Sequence, residues 1–179
     1  ARVITLDLDK LGRGVERGAS VSVSGVCLTV TEIEGSCVSF FTMGETLDRT
    51  TIKFLAIGDR VNIERSARLG DEIGGHLVSG HVSGVARMTN LDTSSGDWVI
   101  TLACDPSWMP YILPKGFVAL DGCSLTIVNV EADAFTVHLI PETLSRTTFG
   151  IKKVNDFVNL EIDPTTRAIV DTVKQIMKK

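Results

Sequence analysis

Short runs rich in Val, Ile, Thr and Phe recur along the chain, broken by Gly and Asp, as in residues 21–33, 37–43 and 59–64. β-Branched and aromatic residues suit a pleated, half-buried surface, and Gly and Asp suit the turns between, so these runs predict strands. Between 135 and 139 the alternation is explicit: Phe135, Val137 and Leu139 fall on one side, Thr136 and His138 on the other. That strand buries one face, and His138, opposite it, reads as a surface or hydrogen-bonded structural residue. The period changes at Pro164. Pro164 and Thr165 open a helix in which Ile169, Val170, Val173, Ile176 and Met177 form one apolar stripe, with Asp171, Lys174, Lys178 and Lys179 on other faces.

The pattern repeats. At an offset of 97, Gly25-Val26-Cys27-Leu28-Thr29 falls on Gly122-Cys123-Ser124-Leu125-Thr126, and Glu45-Thr46-Leu47-Asp48-Arg49-Thr50-Thr51 on Glu142-Thr143-Leu144-Ser145-Arg146-Thr147-Thr148. Val61-Asn62-Ile63-Glu64 matches Val158-Asn159-Leu160-Glu161, and Val3-Ile4-Thr5-Leu6 recurs, shifted by one, as Val99-Ile100-Thr101-Leu102. Roughly 15 of about 45 aligned positions are identical without a gap, so two copies of one small domain stand in tandem. A unit of this size with about six short strands covers its edges most easily as a Greek-key barrel. The expected architecture is all-β: tandem duplicated six-stranded Greek-key β-barrels, residues 1–65 and 80–163, a glycine-rich linker 66–79, and a C-terminal amphipathic α-helix, 164–179. The second copy carries a further run, 80–97, before its Val-Ile-Thr-Leu, opening with what reads as a strand over 80–86. The expectation is that about 20 residues holding the equivalent first strand precede Ala1.

Composition narrows the partners. With 179 residues, 44% of them apolar, the chain has enough material to bury real cores. A net charge of −4, with 18 Lys and Arg scattered along the chain, supplies no basic field for nucleic acid. No apolar run reaches the ~20 residues of a bilayer span, so no membrane partner is expected. Cys27, Cys37, Cys104 and Cys123 form no CxxC pair and read as free thiols in a reducing cytoplasm.

The paired Gly-Val-Cys-Leu-Thr-Val and Asp-Gly-Cys-Ser-Leu-Thr, the intervening Asp71-Glu72-Ile73-Gly74-Gly75-His76-Leu77-Val78-Ser79-Gly80-His81 and the later His138-Leu139-Ile140-Pro141-Glu142-Thr143-Leu144 closely resemble the riboflavin synthase family. The resemblance covers the whole chain. It implies two similar barrels, a homotrimer formed through the C-terminal helix, no metal or organic cofactor, and lumazine synthase as a possible associate. The implied reaction is a dismutation: one 6,7-dimethyl-8-ribityllumazine gives a four-carbon unit to another, yielding riboflavin and a ribitylamino-pyrimidinedione. It further implies a first lumazine site lined by Ser20, Cys27, Leu28, Thr29, Phe41, Thr42, Met43, Gly44, Glu45 and Thr46. The second is lined by Gly80, His81, Val82, Lys115, Ser124, Leu125, Thr126, Ile140, Pro141, Glu142, Thr143, Leu144 and Ser145. Cys27, His81, Ser124, Thr126 and Asp163 stand nearest the reacting carbons. His81, whose ordinary pKa lies near 6.5, suits removal of the acidic C7-methyl proton, and water or Ser124 suits addition to the second lumazine.

Each of these residues also has a plainer reading. Cys27 in a strand is a small hydrophobe. His76 orders the linker, and its spacing of five from His81 does not suit a metal pair with Asp71 or Glu72. Asp163 is a natural N-cap for the last helix. The repeated Glu-Thr-Leu-x-Arg-Thr-Thr is a fold-maintaining turn, and the helix stripe packs on its own barrel or forms a coiled-coil seam. The rival function is a lumazine- or flavin-binding antenna or carrier without turnover. Such binders tend to lose the second-site polar groups, whereas His81, Ser124, Thr126 and Asp163 are present here. A flavin-binding oxidoreductase barrel is disfavoured because no GxGxxG follows a strand.

Overall fold

A computed structural model of the chain describes residues 1–94 and 96–178. Ser95, within the 80–97 run, and Lys179, at the end of the expected helix, lie outside the described residues. Two antiparallel β units follow one another. The first is a five-stranded sheet of β1 (Arg2–Asp7), β2 (Ser20–Val23), β3 (Val26–Glu34), β4 (Cys37–Thr42) and β5 (Ile63–Arg65), in the order β1-β4-β3-β2-β5. The second is a closed barrel of β6 (Gly84–Asp92), β7 (Trp98–Cys104), β8 (Phe117–Leu120), β9 (Cys123–Val130), β10 (Ala134–Leu139) and β11 (Phe157–Ile162), in the order β10-β7-β6-β11-β8-β9. By the repeat, β1 corresponds to β7 and β5 to β11. Strand β6, which joins β7 to β11, has no counterpart among residues 1–66, so β1 and β5 are edges and the first unit is open where the second is closed.

Each unit has its own core: Val21, Val23, Val38, Phe40 and Ile52 in the first, Met88, Ile100, Leu102, Phe135, Phe149 and Leu160 in the second. Burying one such large side chain is worth about 1.5 to 3 kcal/mol. Phe135, Val137 and Leu139 are buried and His138 is exposed, as the alternation requires. The run 21–33 is not one strand. Ser24 (φ 44°) and Gly25 (φ 79°) break it into β2 and β3, and Asp121 (φ 46°) and Gly122 (φ 83°) do the same between β8 and β9. Two consecutive left-handed residues form the tight hairpin turn whose twist matches the flanking strands. Ser24-Gly25 signals it by its Gly, Asp121-Gly122 by both residues.

These two hairpin tips meet. A Cβ on Gly25 would lie 2.5 Å from the Gly122 nitrogen, so the backbones touch where no side chain fits. Around the contact the repeated asparagines exchange places. Asn159 donates through Nδ2 to the Ser24 carbonyl (2.7 Å), while its Oδ1 accepts the Thr51 N–H (2.7 Å). Reciprocally, Asn62 donates to the Asp121 carbonyl (3.0 Å) and accepts the Thr148 N–H (2.7 Å). One departure from symmetry lies beside them: Asp121, where the first copy has Ser24, pairs with Lys152 at 3.0 Å, where the first copy has Leu55. Burial pushes the Asp121 carboxyl up, against the Lys152 ammonium and the Asn159 N–H, which hold it down.

The Glu-Thr-Leu-x-Arg-Thr-Thr segments form α1 (Gly44–Arg49) and α2 (Pro141–Arg146). In each, a Thr hydroxyl closes the turn, Thr50 onto the Thr46 carbonyl and Thr147 onto Thr143 (both 2.6 Å). Exposed pairs Glu45–Arg49 and Glu142–Arg146 add only a few tenths of a kcal/mol each, about 0.3 to 0.5. The motif thus builds the same turn in both copies. The final helix, α3, spans Pro164–Met177. Among the described residues no helix is long and apolar enough to cross a membrane.

Candidate functional site

Period-two alternation decides which motif residues can meet a ligand. On β3, Cys27 and Thr29 are exposed and Leu28 points into the first core; on β9, Ser124 is half-buried, Thr126 exposed, and Leu125 packs in the second core. Leu28 and Leu125 therefore present only backbone to the surface. Thr42 is likewise buried, its hydroxyl donated to the Arg2 carbonyl at 2.6 Å, because it closes the β1–β4 ladder. At these three positions the side chain serves the core or the ladder, and any part in a site falls to the backbone.

A cavity of about 290 Å³ lies between the two units and is roofed by the linker. Its walls include Ser20, Ser22 and Cys27 of the first copy, Ser124 of the second, and His76, Ser79 and Gly80 of the linker. Cys27 and Ser124 occupy equivalent repeat positions, so one cavity gathers the corresponding point of both copies. Cys27 is held by its N–H, which donates to the Gly80 carbonyl at 3.0 Å. Ser124 Oγ stands 2.6 Å from His76 Nδ1. The His76 ring stacks on Phe117, with centroids 5.1 Å apart and planes 16° from parallel. Its Nε2 is buried and has no hydrogen-bond partner among the described residues.

Burial pushes His76 below its ordinary value near 6.5, against the pull of the Asp163 and Glu161 carboxylates. It is therefore a neutral imidazole near pH 7, and in the tautomer protonated at Nε2 its Nδ1 accepts the Ser124 hydroxyl. That is the geometry of a serine whose proton has a base to go to. Asp163 caps α3: its Oδ2 accepts both the Thr166 N–H and the Thr166 hydroxyl at 2.8 Å. Burial would raise its pKa, but the Thr166 donors and His76 outweigh it and keep the carboxyl below the usual range.

The other expected site residues are distributed around this centre. His81 is exposed and does not line the cavity. Nor is it on a strand: the run 80–86 is extended only from Gly84, because Gly80 (φ 78°) turns the chain toward Cys27. Val82 packs on the first core. Lys115 is exposed in a turn (φ 66°). Phe41, Met43, Gly44 and Glu45, and in the second copy Ile140, Pro141, Glu142 and Ser145, are exposed around the starts of α1 and α2, with Thr46, Thr143 and Leu144 half-buried there. These two equivalent loops flank their units outside the linker cavity. Among the described residues no group of three or more His, Cys, Asp or Glu side chains is arranged to hold a metal ion.

Two contributors are not legible by residue type. His76 meets Ser124 across 48 positions, and Glu161, a barrel-strand residue, reaches Ser79 and Gly80 across more than 80. The available signal for Glu161 was the recurrence of Glu in Val-Asn-x-Glu.

Comparison with known proteins gives concordant results. The family model described as the lumazine binding domain matches residues 2–66 and 79–163. The chain is 51% identical over 170 residues to riboflavin synthase of Escherichia coli (strain K12), spanning 94% of this chain and 80% of that protein. It is 47% identical over 156 residues to riboflavin synthase of Chlamydia muridarum (strain MoPn / Nigg), spanning 87% and 77%. The crystal structure of LumP complexed with riboflavin superposes with a TM-score of 0.81 at 25% identity, covering 89% of this chain and 87% of that one.

Proposed function

The chain belongs to the lumazine-binding riboflavin synthase family, and from that premise we propose how its residues divide the reaction. It is an enzyme, a transferase that converts two molecules of 6,7-dimethyl-8-ribityllumazine into riboflavin and 5-amino-6-(ribitylamino)pyrimidinedione by moving four carbons from one to the other. A dismutation needs two copies of one ligand in related but unequal surroundings. The observation that carries the reading is the meeting of Cys27 and Ser124, equivalent in the repeat and different in chemistry, at one cavity. Residues 1–65 and 80–163 each supply one lumazine-binding surface, joined by 66–79.

At the second surface Ser124, with His76 at its hydroxyl, activates one lumazine by adding its oxygen or by directing a water. Thr126, exposed two residues along the same strand, and the loop beginning at Ile140 hold the ring and the ribityl chain. His81, exposed at the mouth of the linker, takes the C7-methyl proton. Asp163 keeps the end of β11 in place and its negative charge beside His76. At the first surface Cys27 and Thr29 take the partner lumazine.

A single ligand of this size needs about 300 Å³. The linker cavity, about 290 Å³, does not hold two. The remaining surface comes from a neighbouring copy. What supports this is α3. Its inner side docks on its own barrel: Tyr111 donates to Asp171 at 2.5 Å, and Lys174 lies 4.4 Å from the Tyr111 ring. Ile169, Val173 and Ile176 point away and are 60%, 49% and 68% exposed. Burying each in a seam is worth about 1.5 to 3 kcal/mol, so three such helices hold a homotrimer together. The enzyme works in the cytoplasm, with lumazine synthase as its associate.

Deleting residues 166–179 is expected to leave folded units that bind lumazine, sediment toward monomer and lose most turnover at micromolar protein. Sedimentation and activity measured on the same samples check it. A fully active monomer would place both surfaces in one chain.

A further inference from the structure

Glu161 contacts neither Cys27 nor Ser124, yet both depend on what it holds. Its carboxylate is 3% exposed on the last strand of the barrel. One oxygen, Oε1, accepts the Ser79 N–H and the Ser79 hydroxyl, each at 2.7 Å; Oε2 accepts the Gly80 N–H at 2.9 Å. No cation pairs with it among the described residues, so three hydrogen bonds from the linker compensate its burial. A Gln amide cannot replace it, since it offers one oxygen and turns an N–H₂ toward a donor.

The turn so pinned sets both sides of the cavity. Gly80, at φ 78°, has no room for a side chain, because a Cβ would lie 2.6 Å from the Cys27 Cβ, and its carbonyl takes the Cys27 N–H. Three residues upstream of the pinned Ser79, His76 reaches Ser124, and Gly75, immediately before it, packs so closely that a Cβ would lie 2.2 Å from Ser124 Oγ.

We infer that Glu161 is a positioning residue: by gripping Ser79 and Gly80 it sets the linker so that His76 rests on Ser124 and Gly80 rests on Cys27. Its effect on turnover rests on the riboflavin synthase reading; its effect on the linker does not.

The test is Glu161→Gln in the whole protein, with three readouts. The kcat for lumazine dismutation is expected to fall about 10²-fold, as a misplacement of about 1 Å produces, with KM changed far less. Amide exchange at Cys27 is expected to accelerate while the β10 ladder keeps its protection. The His76 ring, followed by NMR of histidine-labelled protein, is expected to titrate closer to 6.5. Loss of the Glu161 charge alone would lower it, but release from burial, the largest influence on this ring, raises it. The charged or titratable groups facing His76 are Glu161 of β11, Asp163 at the N-cap of α3, Glu72 from the linker, and Glu64, Arg65 and Cys27 across the cavity. Ser79→Ala, which removes the hydroxyl's bond to Glu161 and the longer one it accepts from the His81 N–H (3.3 Å) and leaves the strand untouched, moves all three readouts the same way by less, and decides the matter should Glu161→Gln fail to fold. Unchanged Cys27 exchange, or a His76 titration that falls or stays put, would overturn the inference. A wild-type protein that does not turn over lumazine would instead overturn the reaction assigned above, and the exchange and titration arms would still stand.

Discussion

Replacing Asn159 by Ala is expected to lower the stability of the protein by about 3 to 4 kcal/mol, among the larger single-residue losses available on its surface or core. Asn159 is 1% exposed and its amide bridges the Ser24 carbonyl and the Thr51 N–H of the other unit. Alanine leaves the buried Ser24 carbonyl and the half-buried Thr51 N–H without a partner, and each orphan costs about 1 to 3 kcal/mol. Asn159→Asp does no better, because a carboxylate oxygen then faces the Ser24 carbonyl where a donor stood. Asn62→Ala is expected to cost less, since Asn62 is itself half-buried. Equilibrium urea unfolding of the three variants checks the order. A loss of under about 1 kcal/mol for Asn159→Ala would show that the Gly25–Gly122 contact and the Asp121–Lys152 pair dock the units without it.

Ser124→Ala is expected to lower kcat/KM by about 10²- to 10³-fold while lumazine affinity changes only a few-fold. The hydroxyl is the group to which His76 is pointed, and removing it leaves the imidazole without a substrate-side partner. Ring-holding contacts from Thr126 and the Ile140 loop remain. Steady-state kinetics set beside lumazine fluorescence titration separate the two effects. A variant that loses binding and rate together would make Ser124 a ligand anchor and not the activated oxygen.

The repeat explains why so much of the architecture could be read without coordinates. Gly25 and Gly122, Asn62 and Asn159, and the two Glu-Thr-Leu-x-Arg-Thr-Thr turns each recur because each does the same physical work twice. Local chemistry is equally legible where it is short-range: Asp163 caps the helix it precedes, and the apolar stripe of α3 is where its spacing puts it. The readings that changed are those that depend on distant partners. Residues 21–33 are mostly β-formers, and the left-handed backbone at Ser24 and Gly25 splits them in two. His81 has the better local context for a base, yet His76 is the one the linker delivers to Ser124, and what delivers it is a glutamate some 85 positions later. No periodicity within a window of ten or twenty residues contains that information.

The measurement that bears most directly on the whole account is incubation of the purified protein with 6,7-dimethyl-8-ribityllumazine alone, without metal, nicotinamide or a second substrate, while lumazine and riboflavin absorbance are followed together. The account predicts catalytic turnover with two lumazines consumed for each riboflavin formed, the remainder appearing as the ribitylamino-pyrimidinedione. Saturable lumazine binding with no riboflavin produced would contradict it and make the protein a carrier.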